Sequence, residues 1–240
     1  MLEKLKKKTA LIKKIYKEHN DEFRLIESKE IKLFKNRSRA LAIKEAEINK
    51  FDCVVLDDGL QDPSINKNLN VVCFSESQLI GNGMTLPSGP LRENFSSLKK
   101  SQIVVINGHE NREFEKEIKY ISKDICIFYS KYKPSNLDQF KKLNLLAFAG
   151  IGNPDNFFDL LENNNLKLIK KISFPDHYNY SLKELNELIN LSNEKNLKLI
   201  TTEKDFFRIK QFQLSQIECL SVELEILKED SFKRQIQKYL

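Results

Sequence analysis

The stretch VVLDDGLQD, residues 54–62, joins an apolar run to two adjacent carboxylates and a glycine. An apolar run of this length is typical of a buried strand, and the chain becomes acidic at once at Asp57 and Asp58. Open α/β sheets bind their ligands at the carboxyl ends of their strands. The pattern therefore predicts a strand that delivers both acids to the ligand-binding edge of a sheet.

The rest of the chain repeats this alternation of apolar runs with helical patterns, which is typical of βα units around a mostly parallel sheet. The predicted strands are 9–16, 51–57, 69–74, 102–107, 124–130, 143–149, 166–173, 197–202 and 217–224. Residues 38–49 and 181–195 are predicted helices. The first should cover the sheet with a face made of Ala40, Leu41, Ile43, Ala46 and Ile48, and the second begins with Ser181 and Glu184 at capping-box spacing.

A domain boundary is predicted near residues 130–140, where Pro134, Ser135 and Asn136 interrupt the pattern before a new strand begins. We therefore expect an α/β fold of two lobes, residues 1–133 and a smaller lobe of residues 134–240. A cleft between lobes is the default position for a ligand site.

Composition limits the function classes. The net charge of +6 and the pI of about 8.9 favour an anionic partner, although Lys enrichment is general along the chain. The four cysteines stand singly in apolar runs, as reduced core cysteines do. No apolar run approaches the roughly 20 residues that span a bilayer, and no secretion signal is expected. The sequence does not contain the interleaved aromatic and basic pattern that would predict nucleic-acid binding.

Two stretches combine charge with rigid backbone. Asp57 and Asp58 suit Mg²⁺ in a phosphoryl-transfer site, but Asp-Asp-Gly is also a common turn. The loop IGNGMTLPSGPLRE, residues 80–93, ends in Arg92 and Glu93, which suit an anion and a metal. The alternative for the loop is a structured connection with a solvated ion pair.

Four further elements have open interpretations. His177 in FPDHYNYS (174–181) suits acid–base chemistry or a plain loop. Asp21 follows the first predicted strand. It suits either the sheet edge that carries Asp57 and Asp58 or a solvated acidic surface. The turn AGIGNPDNF (149–157) suits an anion or a helix start. Lys204 and Asp205 in TTEKDFF (201–207) suit a salt bridge or a cleft wall, and the structural role is favoured.

Taken in order, DDGLQ, the LPSGPLRE loop, the Asn-Gly after a strand (107–108), FAGIGNP, FPDH and TTEKD resemble the tetraacyldisaccharide 4'-kinase family. The resemblance runs from about residue 9 to about residue 210. It implies a P-loop-type α/β fold with helices on both faces of the sheet. It also implies transfer of phosphate from ATP, with Mg²⁺, to the 4'-hydroxyl of an acylated glucosamine disaccharide 1-phosphate, a lipid A precursor of Gram-negative bacteria. A peripheral position at the cytoplasmic face of the inner membrane follows from that substrate.

The resemblance also assigns roles by position. Asp57 and Asp58 match the Walker B acids, and Arg92 with Glu93 match the loop end near metal and phosphates. Asp21 and His177 match a pair that deprotonates the sugar hydroxyl. Gln61 and, more loosely, Arg37 match nucleotide and substrate contacts. Asp62 departs from the family's usual histidine, and Asn20 from its glycine.

The largest departure is the phosphate loop. GxxxxGK[ST] occurs nowhere in the 240 residues, since no glycine is followed by lysine. Family members carry this loop before the strand that corresponds to residues 9–16, so we expect the chain to begin inside the following helix. The 240 residues are then expected to bind ATP poorly, to have little kinase activity and, with an uncovered sheet edge, to be poorly soluble. The alternative is a non-catalytic remnant that binds the acylated disaccharide or a partner chain.

Overall fold

The computed structural model describes residues 2, 5–15, 26 and 31–240. Its strands are β1 (Thr9–Lys14), β2 (Leu33–Asn36), β3 (Cys53–Leu56), β4 (Val71–Ser75), β5 (Ile103–Asn107), β6 (Cys126–Pro134), β7 (Asn144–Ala149), β8 (Lys167–Ser173), β9 (Lys198–Thr202), β10 (Ile217–Leu220) and β11 (Val222–Ile226). Its helices are α1 (Arg39–Ile48), α2 (Arg112–Ile121), α3 (Pro154–Asn163), α4 (Leu182–Glu194), α5 (Glu203–Ile209) and α6 (Glu229–Gln237). Short 3₁₀ turns lie at Phe95–Lys100, Leu137–Gln139 and Lys210–Phe212.

The described chain folds into two compact units. The first contains the described residues up to Ile15, then Lys32–Tyr132 and Leu224–Leu240. The second contains Lys133–Glu223. The C-terminal helix α6 thus belongs to the first unit, whereas the sequence analysis placed it in the second lobe.

Three strands of the first unit form a parallel sheet in the order β2-β1-β3. In its register Ile12 lies opposite Leu56. Helix α1 covers one face and buries Ala42 and Ala46 against Ile12 and its neighbours. This sheet therefore holds the carboxyl ends of β1 and β3 side by side.

The first unit has a second sheet, with strand order β11-β6-β5-β4. Its central strand β5 is buried on both sides. Val104 and Ile106 pack under α2, whereas Ile103 and Val105 face Phe232 of α6. Successive side chains of a strand point to opposite faces of the sheet, and here each face of β5 is covered by a helix.

The second unit is built around the parallel sheet β10-β9-β7-β8. Strand β7 alternates in the same way, with Leu145 in the cluster that contains α3 and Leu146 in the cluster that contains α4. Fully burying one such side chain stabilises the fold by about 1.5–3 kcal/mol. The fold prediction, parallel-dominated α/β with helices on both faces, is confirmed.

Three details differ from the sequence prediction. Strand β2 was missed, and the run 217–224 divides into β10 and β11. Helix α1 turns a different face to the sheet: Leu41 is 54% and Ile48 79% exposed, while Arg39 is buried with Ala42 and Ala46. The expected face was right for Ile43 and Ala46, which pack against the sheet, and wrong for Leu41 and Ile48. Small residues, rather than the largest apolar ones, allow the helix to lie close to the strands.

Candidate active site

The carboxyl edge of β1 and β3 brings Asp57 beside Lys13. The amide of Asp57 donates to the Ile12 carbonyl at 3.0 Å, which continues the strand pairing by one residue. Lys13 Nζ lies 2.6 Å from Asp57 Oδ2, and its side chain is 13% exposed. Lys13 was not a predicted site residue, because its place beside Asp57 depends on the pairing of two strands distant in sequence.

Asp57, Asp58 and Gly59 form a turn at this edge. Asp58 adopts the left-handed conformation, with φ of 52°. A Cβ on Gly59 would lie 2.5 Å from the Leu56 Cβ, so no larger residue fits there. The two interpretations of this segment, a turn and a metal site, are therefore compatible. The turn projects both carboxylates from the end of the strand.

The structure joins two of the predicted site residues. Arg92 Nη1 lies 2.9 Å from Asp58 Oδ2, with both side chains 58% exposed. Glu93 instead has Lys100 as its partner, at 3.5 Å. Gln61 and Arg37 are exposed.

The side chain of Asn82 closes the loop of residues 80–93, which ends in Arg92 and Glu93. Asn82 Nδ2 donates to the Ser88 carbonyl at 2.8 Å, and Asn82 Oδ1 accepts from the Met84 amide at 3.1 Å. A Cβ on Gly89 would lie within 2.3 Å of the Met84 carbonyl oxygen. The loop is a tightly closed turn whose final residues carry the charges.

Arg39 is the main residue that the sequence analysis missed in this unit. Its guanidinium is buried and donates to the carbonyls of Asp57 and Asp58, each at 3.0 Å. It also lies 3.4 Å from Asp62 Oδ2. Hydrogen bonds from Ser64, and to a smaller extent Arg39, lower the pKa of Asp62. The signal in the sequence was the spacing of residues 39, 42 and 46, which puts Arg39 on the buried face of α1.

The second unit contains a buried carboxylate, Asp205, at the start of α5. Its Oδ2 accepts from the Gly150 amide at 2.9 Å and from Thr202 Oγ1 at 2.8 Å. Arg208 Nη1 donates to Asp205 Oδ1 at 2.7 Å and to the Gly150 carbonyl at 2.6 Å. Asp205 therefore pairs with Arg208. The sequence analysis considered the turn at Gly150 for binding an anionic ligand, but the Gly150 amide binds the Asp205 carboxylate instead.

His177 lies at the edge of this network. Its backbone is left-handed, with φ of 57°, and its amide donates to Asp176 Oδ1 at 2.9 Å. Arg208 Nη2 lies 3.3 Å from Nδ1, and Lys204 Nζ lies 3.5 Å from Nε2. Asp21, the predicted partner of His177, lies outside the described residues.

Tyrosines and a capping box support the His177 segment. Ser181 and Glu184 cap α4 reciprocally, as the sequence predicted. Glu184 also accepts from the Tyr178 hydroxyl at 2.5 Å. Hydrogen bonds from Ser181, then Tyr178, lower the pKa of Glu184 to about 2. Burial, and then the charge of Asp205, raises the pKa of Tyr180.

Two absences apply to the described part of the chain. No three His, Cys, Asp or Glu side chains come together there in a group that would hold a metal by themselves. None of its helices is long and apolar enough to cross a membrane.

These features define an α/β protein with parallel sheets and with acids at the carboxyl edge of a strand pair. The family model LpxK, Tetraacyldisaccharide-1-P 4'-kinase, matches residues 10–240. The chain belongs to this family, which is a family of kinases, and the predicted resemblance is confirmed.

Individual relatives agree with the family match. The chain is 40% identical over 241 residues to tetraacyldisaccharide 4'-kinase of Pelagibacter ubique (strain HTCC1062), covering 99% of this chain and 76% of the relative. It is 36% identical over 192 residues to the enzyme of that name from Rickettsia typhi (strain ATCC VR-144 / Wilmington), covering 79% of this chain and 58% of the relative. The chain thus spans about three quarters of the first relative and less than two thirds of the second.

A solved structure agrees with the fold. The crystal structure of LpxK from Aquifex aeolicus in complex with ATP superposes with a TM-score of 0.71. The match has 20% sequence identity and covers 98% of this chain and 80% of that one. At this identity the likeness shows the shared fold.

Proposed function

We propose that the chain takes part in ATP-dependent phosphorylation of the 4'-hydroxyl of a tetraacyl glucosamine disaccharide 1-phosphate, in lipid A biosynthesis. The observation that carries the proposal is the family match along residues 10–240. The names of the relatives and the ATP in the Aquifex aeolicus complex support the reaction and its phosphate donor.

The acids of the first unit fit a magnesium ion. Mg²⁺ takes oxygen ligands and is commonly held by one or two carboxylates together with water and substrate phosphates. Asp57 and Asp58 are two partly exposed carboxylates at a strand end, each now paired with a cation. Asp58 is the better candidate ligand, and Glu93 would be a further one. When bound, the ion would offset the charge of the phosphate oxygens.

Cations on the same edge suit the phosphates. Arg92 is exposed and its guanidinium can bind phosphate oxygens in a bidentate manner. Lys13 lies beside Asp57 and adds a second positive charge. Gln61 and Arg37 are proposed to contact nucleotide or substrate, and their exposure agrees with that role.

The acceptor chemistry is assigned to Asp21 and His177. The 4'-hydroxyl gives its proton to the Asp21 carboxylate while its oxygen bonds to the γ-phosphorus. The bond from that phosphorus to the bridging oxygen of ADP breaks as this happens. A sugar hydroxyl is a weak nucleophile, so a positioned base contributes to the rate.

The proposed substrate also sets partners and location. An acylated disaccharide resides in a bilayer, so the protein acts peripherally at the cytoplasmic face of the inner membrane of a Gram-negative bacterium. Nucleic acid is not proposed as a partner, and the net charge of +6 suits an anionic lipid surface.

Phosphate transfer to the disaccharide tests the proposal. The chain is joined to the part of the Pelagibacter ubique relative that it does not cover, and labelled phosphate from ATP is followed with Mg²⁺. We expect transfer to the 4'-position, with His177→Gln slower by about 10²–10⁴-fold. Asp155→Asn, a change at an exposed acid of α3, is the control and should match the parent.

The 240-residue chain is assayed beside this fusion. Because its sequence has no GxxxxGK[ST], we expect it to bind ATP weakly and to transfer little phosphate. A fusion that binds the acylated disaccharide without transferring phosphate would favour the alternative, a non-catalytic remnant. Transfer to a different hydroxyl would overturn the substrate assignment.

A further inference from the structure

We propose that Arg208 is a positioning residue that holds neutral His177 in the tautomer with its proton on Nε2. A neutral imidazole has one N–H and one nitrogen that accepts, and the surroundings select between them. The inference concerns which nitrogen of His177 is left to act on another group. It deepens the proposed function, on which its catalytic meaning rests.

The contact at Nδ1 has a defined direction. Arg208 Nη2 lies 3.3 Å from His177 Nδ1. A guanidinium carries only donors, so a proton on Nδ1 would face an N–H group. The favourable arrangement leaves Nδ1 unprotonated, and the single proton of the neutral ring is then on Nε2.

Arg208 cannot easily turn away from this contact. Its side chain is 8% exposed, and its Nη1 donates at 2.7 Å to Asp205 and at 2.6 Å to the Gly150 carbonyl. Asp205 is fully buried and is itself held by the Gly150 amide and Thr202. Two hydrogen bonds therefore fix the guanidinium plane independently of the contact with His177.

The groups described near Nε2 lie farther from the ring than Arg208 does. Lys204 Nζ lies 3.5 Å from Nε2, farther than the 3.3 Å between Arg208 Nη2 and Nδ1, and its ammonium is on a flexible stem. Asp176 Oδ2 lies 3.9 Å from the same nitrogen and can only accept. The fixed donor at Nδ1 therefore decides the tautomer.

The tautomer divides the roles of the proposed catalytic pair. His177 presents an N–H at Nε2, which suits donation to a carboxylate and does not suit removal of a proton from a hydroxyl. His177 thus orients a carboxylate base, and the carboxylate accepts the hydroxyl proton. The proposed function likewise gives proton acceptance to the Asp21 carboxylate.

Nitrogen NMR of the 240-residue chain, labelled with ¹⁵N-histidine, tests the inference directly. Spectra are taken at pH 8.5, where an imidazole of ordinary pKa is neutral. The chain has three histidines, so the spectrum of His177→Gln assigns the signals. We expect His177 to show a protonated Nε2 and an unprotonated Nδ1. A proton on Nδ1, or a mixture of both tautomers, would overturn the proposal.

His109 offers a contrast in the same spectrum. Its Nδ1 lies 3.0 Å from Glu76 Oε2, and a carboxylate only accepts, so the proton is favoured on Nδ1. His109 is 92% exposed, and water competes there. A Glu76→Gln change should therefore affect His109 and leave the His177 signals unchanged.

Variants separate Arg208 from the general environment. Arg208→Met should shift His177 toward a mixture of tautomers, while Arg112→Met, at an exposed position in α2, should not. If Arg208→Met keeps the wild-type tautomer, Arg208 is not the positioning residue. Should that variant fail to melt cooperatively, the wild-type spectrum alone decides. None of these readouts needs ATP or lipid, so failure of the proposed reaction would be seen separately.

Discussion

Arg39 donates a hydrogen bond to the main-chain carbonyl of Asp58 across 3.0 Å, from a side chain that is only 6% exposed. A second bond of 3.0 Å reaches the carbonyl of Asp57. One buried guanidinium therefore satisfies both carbonyls of the turn that presents the acids. The geometry of the proposed metal ligands depends on a helix residue that touches neither carboxylate of the pair.

Replacing Arg39 tests this support. Arg39→Met removes the donor to two part-buried carbonyls, which should lower the free energy of unfolding by about 1–3 kcal/mol. Arg37→Met is a matched control two residues away, at an exposed position, and should change stability by less than about 0.5 kcal/mol. Urea unfolding measures both. Equal effects of the two changes would show that burial of Arg39 does not matter.

The closeness of Gly150 to Tyr180 gives a second prediction. A Cβ on Gly150 would lie 2.6 Å from the Tyr180 hydroxyl oxygen. Gly150→Ala should therefore lower the free energy of unfolding by about 1–3 kcal/mol. In a Tyr180→Phe background the loss should be smaller, because the oxygen nearest to the new methyl group is gone. Additive effects in this double-mutant cycle would contradict the contact.

The capping box of α4 predicts a pH dependence. The pKa of Glu184 in the folded chain, about 2, is below its ordinary value of 4.5. Its contribution to stability is thus fully present above pH 4.5 and is lost as pH falls toward 2. Glu184→Gln should make stability less dependent on pH between 5 and 2. Glu187→Gln, at an exposed position of the same helix, should keep the parent's slope in acid-unfolding curves.

The ion pair of Asp58 and Arg92 should matter for binding more than for stability. Both side chains are 58% exposed, and such surface pairs contribute about 0–1 kcal/mol. Arg92→Gln should leave the melting temperature nearly unchanged and weaken ATP binding by the fused chain. Calorimetric titration with ATP and Mg²⁺ measures the affinity, with Arg112→Gln as control. Unaltered affinity would remove Arg92 from the proposed phosphate site.

Sequence periodicity was sufficient to predict the longer strands and helices. It was insufficient to predict short strands or which face of a helix packs against the sheet. Strand β5 and helix α4 carry strong local patterns and were predicted within a residue or two. Strand β2 has four residues and one fully buried side chain, Phe34, which gives no readable alternation. The face of α1 was only partly right, because Ala42 rather than Leu41 packs against the sheet.

The site shows the same limit. Asp57, Asp58, Arg92 and His177 were marked by local motifs, and Asp58 with Arg92 proved to be in contact. Lys13, Arg39 and Arg208 take their places from strand register, helix packing and a buried carboxylate. The partners of Lys13 and Arg39 are far apart from them in sequence. Arg208 is only three residues from Asp205, but no local pattern shows that this carboxylate is buried.

The pairing of β1 with β3 also determines when Asp57 reaches its position beside Lys13 during folding. Ile12 lies opposite Leu56, so Lys13 meets Asp57 only in this alignment. A shift by one residue would turn every side chain of the strand to the other face. A misaligned chain would separate this charge pair, so a shift in strand register would also disrupt the proposed metal- and phosphate-binding edge.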